Sequence, residues 1–209
     1  MDYTKTKFPF LKEDCINEFE NEKGNAIYNH SNKRLEEFLK EKDYVENSTI
    51  RKHLTTHLFP LMAYYLTLKD FDFSKKDSYK LAYKKIQKLG NIKKKRNERL
   101  KKIPFIYSLF KLFAKPYINN QWPVEAWKTE WLKQDNDEIH FRFHDCVYFN
   151  ITKKYGCPEI CKLFCSEDII SSSGYAPKII FKREKTIGQG NKYCDFHFKN
   201  NNKKNKNNI

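Results

Sequence analysis

Apolar residues recur at helical spacing through most of residues 1–135. Residues 31–42 place three large apolar side chains on one helix face, and residues 48–66 continue the same spacing. Pro60 lies inside the second run, where its missing N–H should kink or split the helix. The pattern therefore predicts a helical N-terminal half, with one helix that begins at Ser48 as its N-cap and is interrupted near Pro60.

The stretch Ser74-Lys-Lys-Asp77 is a capping box, a sequence with which helices begin. Apolar residues follow it at helical spacing as far as Leu89, and Gly90 is placed to end the helix. Residues 91–102 are strongly basic and offer few apolar side chains to bury. We expect them to form a surface helix or a mobile connection.

Two prolines mark further helix starts. Pro104 can begin a buried helix that reaches Phe113, and Pro123 can begin another. The second helix would carry Trp127 and Trp131 one turn apart, on the same face. With these two helices, the predicted helical half ends near residue 135.

The pattern changes after residue 136. Residues 138–144 alternate between apolar and polar side chains, as in a half-buried strand. Residues 145–155 return to helical spacing, and a second helix begins at Pro158. Residues 177–183 and 193–198 then indicate two strands joined by a glycine-containing turn. The predicted fold class is α+β: a helical N-terminal half followed by a small antiparallel sheet with two helices and a C-terminal β-hairpin.

Residues 1–198 are expected to form a single domain, mostly helical over 1–135 and α+β over 136–198. The remaining residues, 199–209, are rich in Asn and Lys. They lack the apolar area that would offset the entropy cost of ordering, so they are predicted to form a disordered basic tail.

The formal net charge of +15 is unevenly distributed along the chain. Residues 84–102 contain ten Lys or Arg and one acid, and residues 199–209 add four lysines, which leaves the rest of the chain nearly neutral. Incidental nucleic-acid binding through residues 84–102 is therefore possible. Because no nucleic-acid-binding motif accompanies this segment, the sequence favours a solvated basic helix.

The sequence contains no segment typical of secretion or membrane insertion. Residues 1–15 have no apolar run of signal-peptide length, and the most apolar stretch, residues 103–113, is interrupted by Lys111. That stretch is far shorter than the roughly 20 residues that a bilayer span requires. We expect a cytoplasmic protein without a membrane partner, in which the cysteines are thiols, metal ligands or nucleophiles.

Five of the six cysteines lie in the last third of the chain, and none of them forms a Cys-x-x-Cys pair. Cys161 and Cys165 are four residues apart on a predicted helix, which can present two thiolates to one metal ion. Buried cysteines also serve simply as small hydrophobic residues. The spacing favours this second interpretation, and the sequence requires no cofactor, although a Cys-ligated metal is possible.

Four motifs follow one another between Phe141 and Phe198. They are Phe-x-Phe-x-x-Cys146-x-Tyr148, Lys154-Tyr-Gly-Cys-Pro-Glu-Ile160, Phe164-Cys165-x-x-Asp168, and Phe181-Lys-Arg183-x-x-Thr186-Ile-Gly188-x-Gly190-x-x-x-Cys194-Asp195-Phe196-x-Phe198. This ordered series resembles the L-2-amino-thiazoline-4-carboxylic acid hydrolase family. A weaker similarity extends upstream to about Lys52, so the resemblance covers most of the chain.

The resemblance implies a hydrolase that opens a cyclic amidine or thiazoline by attack at the amidine carbon of a small-molecule substrate. Asp168 and Asp195 match acidic positions of the family, which implies that they hold the cationic amidine or act as general base. Arg183 matches an arginine suited to bidentate binding of the substrate carboxylate. Cys146, Cys165 and Cys194 match cysteines of the family, whereas Cys157 and Cys161 lie outside its pattern.

Among these cysteines Cys194 is the first choice for a catalytic thiolate and Cys165 is the second. Cys146 is expected to bind the substrate. The alternative chemistry is a Cys-bound metal that activates water. Strand alternation places Cys194 and Asp195 on opposite faces, so Cys194 is either part of a dry core or presented to a pocket. A further alternative is a sensor module of the same fold that binds a small molecule or metal without turnover.

Overall fold

The computed structural model describes residues 2–40 and 46–201. Its residues cluster into two compact units, Met1–Leu89 and Gly90–Ile209. The first is helical, and the second contains the sheet together with the remaining helices. Within the described ranges, no helix is both long enough and apolar enough to cross a lipid bilayer.

The helices of the N-terminal unit are α1 (Leu11–Phe19), α2 (Asn21–Lys40), α3 (Ser48–His53), α4 (Phe59–Asp70) and the first part of α5 (Lys75–Leu100). The predicted interruption near Pro60 is confirmed, because a π-helical turn, Leu54–Leu58, separates α3 from α4 and Pro60 occupies the first turn of α4. The N-cap of α3 is Asn47 rather than Ser48. The Asn47 side chain accepts hydrogen bonds from the backbone N–H groups of Thr49 and Ile50 at 3.0 and 3.3 Å.

Helix α5 begins at the predicted capping box, where the Ser74 hydroxyl accepts a hydrogen bond from the Asp77 N–H at 3.1 Å. The predicted end at Gly90 is wrong, since the helix continues to Leu100. A Cβ at Gly90 would lie only 3.0 Å from the side chain of Ile170. Gly90 is therefore a point of close approach inside a helix, a role that the sequence alone does not distinguish from termination.

Much of the basic charge at the start of residues 84–102 is compensated within the N-terminal unit. Lys85, only 2% exposed, lies 3.1 Å from Asp14 and 2.7 Å from Glu18. Lys84 pairs with Glu18, and Lys88 pairs with Asp14. These pairs connect α5 to α1, so this part of the basic segment contributes to helix packing.

The C-terminal unit contains α6 (Ile106–Gln121), α7 (Val124–Trp127), β1 (Thr129–Gln134), β2 (Glu138–Phe143), α8 (Val147–Lys154), α9 (Cys161–Ser172), β3 (Ile179–Lys182) and β4 (Cys194–Asn200). The four strands form one antiparallel sheet in the order β1-β2-β4-β3. The predicted α+β fold class and C-terminal hairpin are confirmed. Strand β4 continues to Asn200, and residues 202–209 of the predicted tail lie outside the described residues.

Two predicted helices differ from the structure. Helix α7 ends at Trp127, and Trp131 lies in β1 with its ring 4.9 Å from that of Phe141. Pairing with β2 determines this strand, and local helical spacing cannot reveal such a partner. Helix α6 extends beyond Phe113, and that side chain is exposed rather than buried.

The alternation predicted for β2 is confirmed. Ile139, Phe141 and Phe143 are buried, whereas the intervening side chains are partly exposed. Register carries this division into β4, where Cys194 pairs with Phe143 and Asp195 pairs with Arg142. The sheet therefore has an aromatic face that includes Cys194 and a polar face that includes Asp195.

Candidate functional site

Helix α9 supplies three of the candidate residues from one face. Cys161, Cys165 and Asp168 follow at intervals of four and three residues, which places them along the same side of the helix. Helix α9 is held against α5 by the ion pair between Lys93 and Glu167 and by a 2.9 Å hydrogen bond from Asn97 to the Ser171 carbonyl. The three residues thus project from an anchored helix.

The remaining candidate residues come from the sheet and the loops beside it. Arg183 directly follows β3, Cys194 begins β4, and Cys146 directly precedes α8. A short 3-10 turn, Ile187–Gln189, packs on the start of α9. The approach is close, since a Cβ added at Gly188 would lie only 3.3 Å from the Cys161 sulfur. This close approach brings residues on either side of the turn next to the α9 thiols.

Four cysteines form one group, which we call the thiol cluster: Cys146, Cys161, Cys165 and Cys194. Cys161 lies next to both Cys146 and Cys165, and Cys165 also lies next to Thr186. The Cys194 sulfur accepts a hydrogen bond from the Ile187 N–H at 3.2 Å. Cys161 and Cys194 are buried, whereas Cys146 and Cys165 are partly exposed.

The environment separates three of these thiols by acidity. The neighbouring Cys161 thiol, the Arg183 charge and the Thr186 hydroxyl lower the pKa of Cys165 against the opposing effect of burial. The pKa of Cys161 is raised, mainly by its neighbours Cys146 and Cys165, so Cys161 keeps its proton. Burial raises the pKa of Cys194 to about 12. Of these three thiols, Cys165 has the strongest thiolate character, and the thiolate is the nucleophilic form of cysteine.

Arg183 is a nearly completely buried cation beside the cluster, with 1% of its side chain exposed. Its Nη1 donates to the Asp168 carboxylate at 3.0 Å and to the Cys165 carbonyl at 3.3 Å, and its Nε donates to the Asp195 carbonyl at 3.3 Å. The guanidinium lies 3.7 Å from the ring centre of Phe196. Among the described residues, its Nη2 has no hydrogen-bond partner. A buried donor without a partner costs about 1–3 kcal/mol, and more when charged, so an anion that reached this nitrogen would be bound favourably.

Asp168 is the acidic partner of Arg183. Removal of water by neighbouring groups raises the pKa of its carboxyl group, and the Arg183 charge opposes that rise. Because 44% of the Asp168 side chain remains exposed, water still reaches it, and we regard the desolvation as partial. The carboxylate therefore lies at the solvent side of a buried guanidinium.

Asp195 contributes to the site only through its main-chain carbonyl. Its carboxylate lies on the polar face of the sheet, 2.9 Å from His140 Nε2 and 3.3 Å from Arg142 Nε. Burial acts to raise its pKa, but the hydrogen bonds from His140 and Arg142 outweigh that effect and lower it. His140 also stacks on His197, which contacts Glu138 at 2.6 Å.

The structure thus brings together Cys146, Cys165, Cys194, Asp168 and Arg183, and it directs the Asp195 carboxylate away from them. It also places beside Cys165 two residues that the family interpretation left out of the site, Cys161 and Thr186. In the sequence, the four-residue spacing between Cys161 and Cys165 indicated that the two side chains could lie side by side on one helix. In the described part of the chain, no three His, Cys, Asp or Glu side chains are arranged to hold one metal ion.

Comparison with known proteins agrees with the motif series. A family model described as L-2-amino-thiazoline-4-carboxylic acid hydrolase matches residues 51–198. The chain belongs to this family. The matched stretch contains every residue of the thiol cluster, together with Arg183 and Asp168, and membership indicates a hydrolase-like function. No curated protein and no solved structure matches the chain.

Proposed function

We propose that the protein hydrolyses a small cyclic amidine that carries a carboxylate, of the 2-amino-thiazoline-4-carboxylate class, through a covalent adduct on Cys165. One juxtaposition carries the proposal: a partly exposed thiol with a lowered pKa lies beside a buried guanidinium that has one unpartnered nitrogen. Membership of the hydrolase family supports the same chemistry.

Arg183 is the proposed carboxylate receptor. Its Nη1 and Nε are occupied by protein acceptors, which leaves Nη2 for the substrate. A charge-assisted hydrogen bond to this nitrogen satisfies the buried donor and orients the ring. Asp168 holds Arg183 and offers its exposed side to the cationic amidine, while Cys146 is proposed to contact the substrate beside Cys165.

In the first step, the Cys165 thiolate attacks the amidine carbon, which is bonded to the ring sulfur and two nitrogens. The new carbon–sulfur bond forms as the bond to the ring sulfur breaks, and the ring sulfur takes up one proton. The product of this step is an amidinium joined to Cys165 through sulfur.

In the second step, a water molecule adds to the same carbon and gives up its two protons as the bond to Cys165 breaks. The carbon becomes the carbonyl of a urea, and Cys165 is released as a thiolate. The net reaction adds one water to the substrate and yields an N-carbamoyl amino acid with a free thiol. It consumes no oxidant or reductant.

The acidity order within the cluster favours Cys165 over Cys194 as nucleophile. Cys194 is buried, and its pKa of about 12 keeps it protonated at neutral pH. Asp195 is proposed to act through its carbonyl, which helps to hold Arg183. All six cysteines are unbridged, as is usual for proteins of a reducing compartment, so a cytoplasmic location is part of the proposal.

The test incubates the full-length protein with 2-amino-thiazoline-4-carboxylate and a panel of cyclic amidines, and measures the carbamoyl product by mass spectrometry. Wild type should turn over a carboxylate-bearing member, and Cys165→Ser should lose activity at least about a hundredfold. Arg183→Lys should raise KM more than it lowers kcat, because lysine cannot reproduce the planar fork. Cys15→Ala, at a buried cysteine beside Asp14, Glu18 and Lys85, is the matched control and should keep activity.

Two results would contradict the proposal. Full activity in Cys165→Ser would exclude the covalent step. Tight binding of the panel without turnover, measured by calorimetry, would favour the alternative of a binding module with the same fold.

A further inference from the structure

Helix α6 exposes an apolar surface that the proposed chemistry does not use. Five large side chains are concerned, and their exposed fractions are unusually high for their types: Phe105 80%, Leu112 63%, Phe113 59%, Tyr117 54% and Leu109 40%. Single exposed apolar residues are common, but a contiguous group of this size indicates an interaction site. We call these five residues the α6 apolar face.

Leu109, Leu112, Phe113 and Tyr117 share one side of the helix, and at about 100° per residue they fall within an arc of roughly 140°. Phe105 is the N-cap residue, just before the first turn. Side chains outside this arc attach α6 to the unit: the Tyr107 hydroxyl donates to the Asp135 carbonyl at 3.1 Å, and the Phe110 ring lies 5.1 Å from that of Phe198. Ala114 is also buried outside the arc, whereas Ile106, in the first turn, is buried within it. These contacts keep the α6 apolar face directed outward.

Helix α6 itself contains two lysines and no acidic residue. No acidic residue occurs between Glu98 and Glu125, and the intervening stretch contains five basic residues: Arg99, Lys101, Lys102, Lys111 and Lys115. Lys102 and Lys115 are exposed, and Lys115 flanks the apolar arc. An apolar stripe bordered by lysines is typical of helices that lie in the interface of an anionic membrane.

The same charges argue against a second copy of this chain as the occupant. Two α6 helices brought together would set their lysines against each other, and the helix has no acidic residue of its own to balance them. A nucleic acid would complement the lysines, but phosphates offer no place for five large apolar side chains. An anionic bilayer accommodates both features, because its headgroups attract the lysines and its acyl boundary accepts the rings and leucines.

We propose that α6 is a peripheral docking surface for anionic membranes, with the helix parallel to the membrane plane and the α6 apolar face inserted at the headgroup–acyl boundary. Insertion reaches about 5–10 Å in such helices. This differs from a membrane span, which no helix of the described residues provides. The proposal is independent of the cysteine chemistry, so Cys165→Ser should bind membranes like wild type.

The test is co-sedimentation of the full-length protein with vesicles of two compositions, phosphatidylcholine alone and equal parts of phosphatidylcholine and phosphatidylglycerol. Wild type should bind the anionic vesicles at least roughly tenfold more tightly than the neutral ones. Leu112→Gln combined with Phe113→Gln should weaken binding to anionic vesicles by at least roughly tenfold without adding charge. Ile92→Gln, at another exposed apolar residue, is the matched control and should bind like wild type.

A charge variant completes the design. Lys102→Gln combined with Lys115→Gln should weaken binding to anionic vesicles by roughly fivefold per lysine. All substituted side chains are exposed, so the melting temperature should be unchanged and is measured for each variant.

Four outcomes would overturn the proposal. Wild type that sediments with neither vesicle has no membrane surface. Anionic binding that survives the Leu112/Phe113 double variant is electrostatic only. Self-association of wild type that the double variant abolishes would assign the face to a second copy. Binding to duplex DNA that the double variant abolishes would assign the face to nucleic acid.

Discussion

At the scale of single residues, the acidity of Cys165 depends on a neighbour that lies outside the family motif. The Cys161 thiol lies next to Cys165, and it has the largest of the effects that lower the Cys165 pKa. The Arg183 charge acts in the same direction from the other side. Cys161 is therefore a positioning residue in the proposed mechanism, acting through Cys165 rather than on the substrate.

Replacing Cys161 should shift the pH dependence of Cys165. Cys161→Ala removes the neighbouring thiol, so the Cys165 pKa should rise. Because the thiolate is the reactive form, the midpoint of Cys165 alkylation and the acid limb of kcat/KM should both move to higher pH. Alkylation by iodoacetamide, followed by mass spectrometry of the α9 peptide, measures the midpoint. Cys161→Ser keeps a donor and should remain near wild type, and an unmoved midpoint in Cys161→Ala would show that Cys161 only fills space.

Asp195 illustrates the opposite case, a residue whose side chain supports the fold beside the site. Its pKa is lowered in the folded protein, so ionised Asp195 contributes stability above about pH 4, and this contribution is lost as pH falls through the folded pKa. Asp195→Asn should cost about 1–3 kcal/mol at neutral pH and lower the melting temperature by a few degrees.

Thermal melts from neutral to acid pH measure this effect. The difference between wild type and Asp195→Asn should shrink as pH falls below about 4, where the wild-type carboxylate also becomes protonated. Glu184→Gln, at an exposed carboxylate, is the control and should melt like wild type. A Cys165 alkylation midpoint that moved in Asp195→Asn would contradict the assignment of its carboxylate to the far face of the sheet.

At the scale of helices and strands, contacts between elements determine features that local pattern leaves open. The capping box of α5, the interruption near Pro60 and the alternation of β2 follow from local sequence, and the structure has all three. The passage of α5 through Gly90 and the placement of Trp131 in a strand follow from contacts with Ile170 and Phe141. Those partners lie far away in sequence, so no local period reveals them.

Gly24 provides a test of such a contact in the α1–α2 pair. A Cβ at this position would lie 2.5 Å from the Cys15 carbonyl oxygen and 2.7 Å from the Ile16 Cα. Both obstacles are backbone atoms, so Gly24→Ala must move the helices apart and should cost about 1–3 kcal/mol despite the better helix propensity of alanine. Chemical denaturation measures the change in unfolding free energy.

Glu36→Ala, at an exposed position of the same helix, is the control and should stay within about 0.5 kcal/mol of wild type. Equal stability of Gly24→Ala and wild type would mean that the α1–α2 approach is looser than described.

At the scale of the whole molecule, the net charge of +15 divides into parts with different roles. Lys84, Lys85 and Lys88 are paired with acids of α1, and Lys93 is paired with Glu167. The acid-free stretch after Glu98 includes exposed lysines beside an apolar face. A sequence-level charge count therefore identifies a basic protein but does not separate charges used in packing from charges left for a partner.

The amino-acid sequence by itself determined the α+β class, the hairpin, the two faces of its strands and the family, because these depend on local period and on motif order. Only the tertiary structure decided that Cys161 and Thr186 join Cys165, that Arg183 is buried with one unpartnered nitrogen, and that α6 turns apolar residues outward. Each of these depends on which distant groups meet. The acidity of a thiol depends on its burial and on its neighbouring groups, and the exposure of a side chain depends on what packs against it. Both are fixed only when separate segments of the chain pack together.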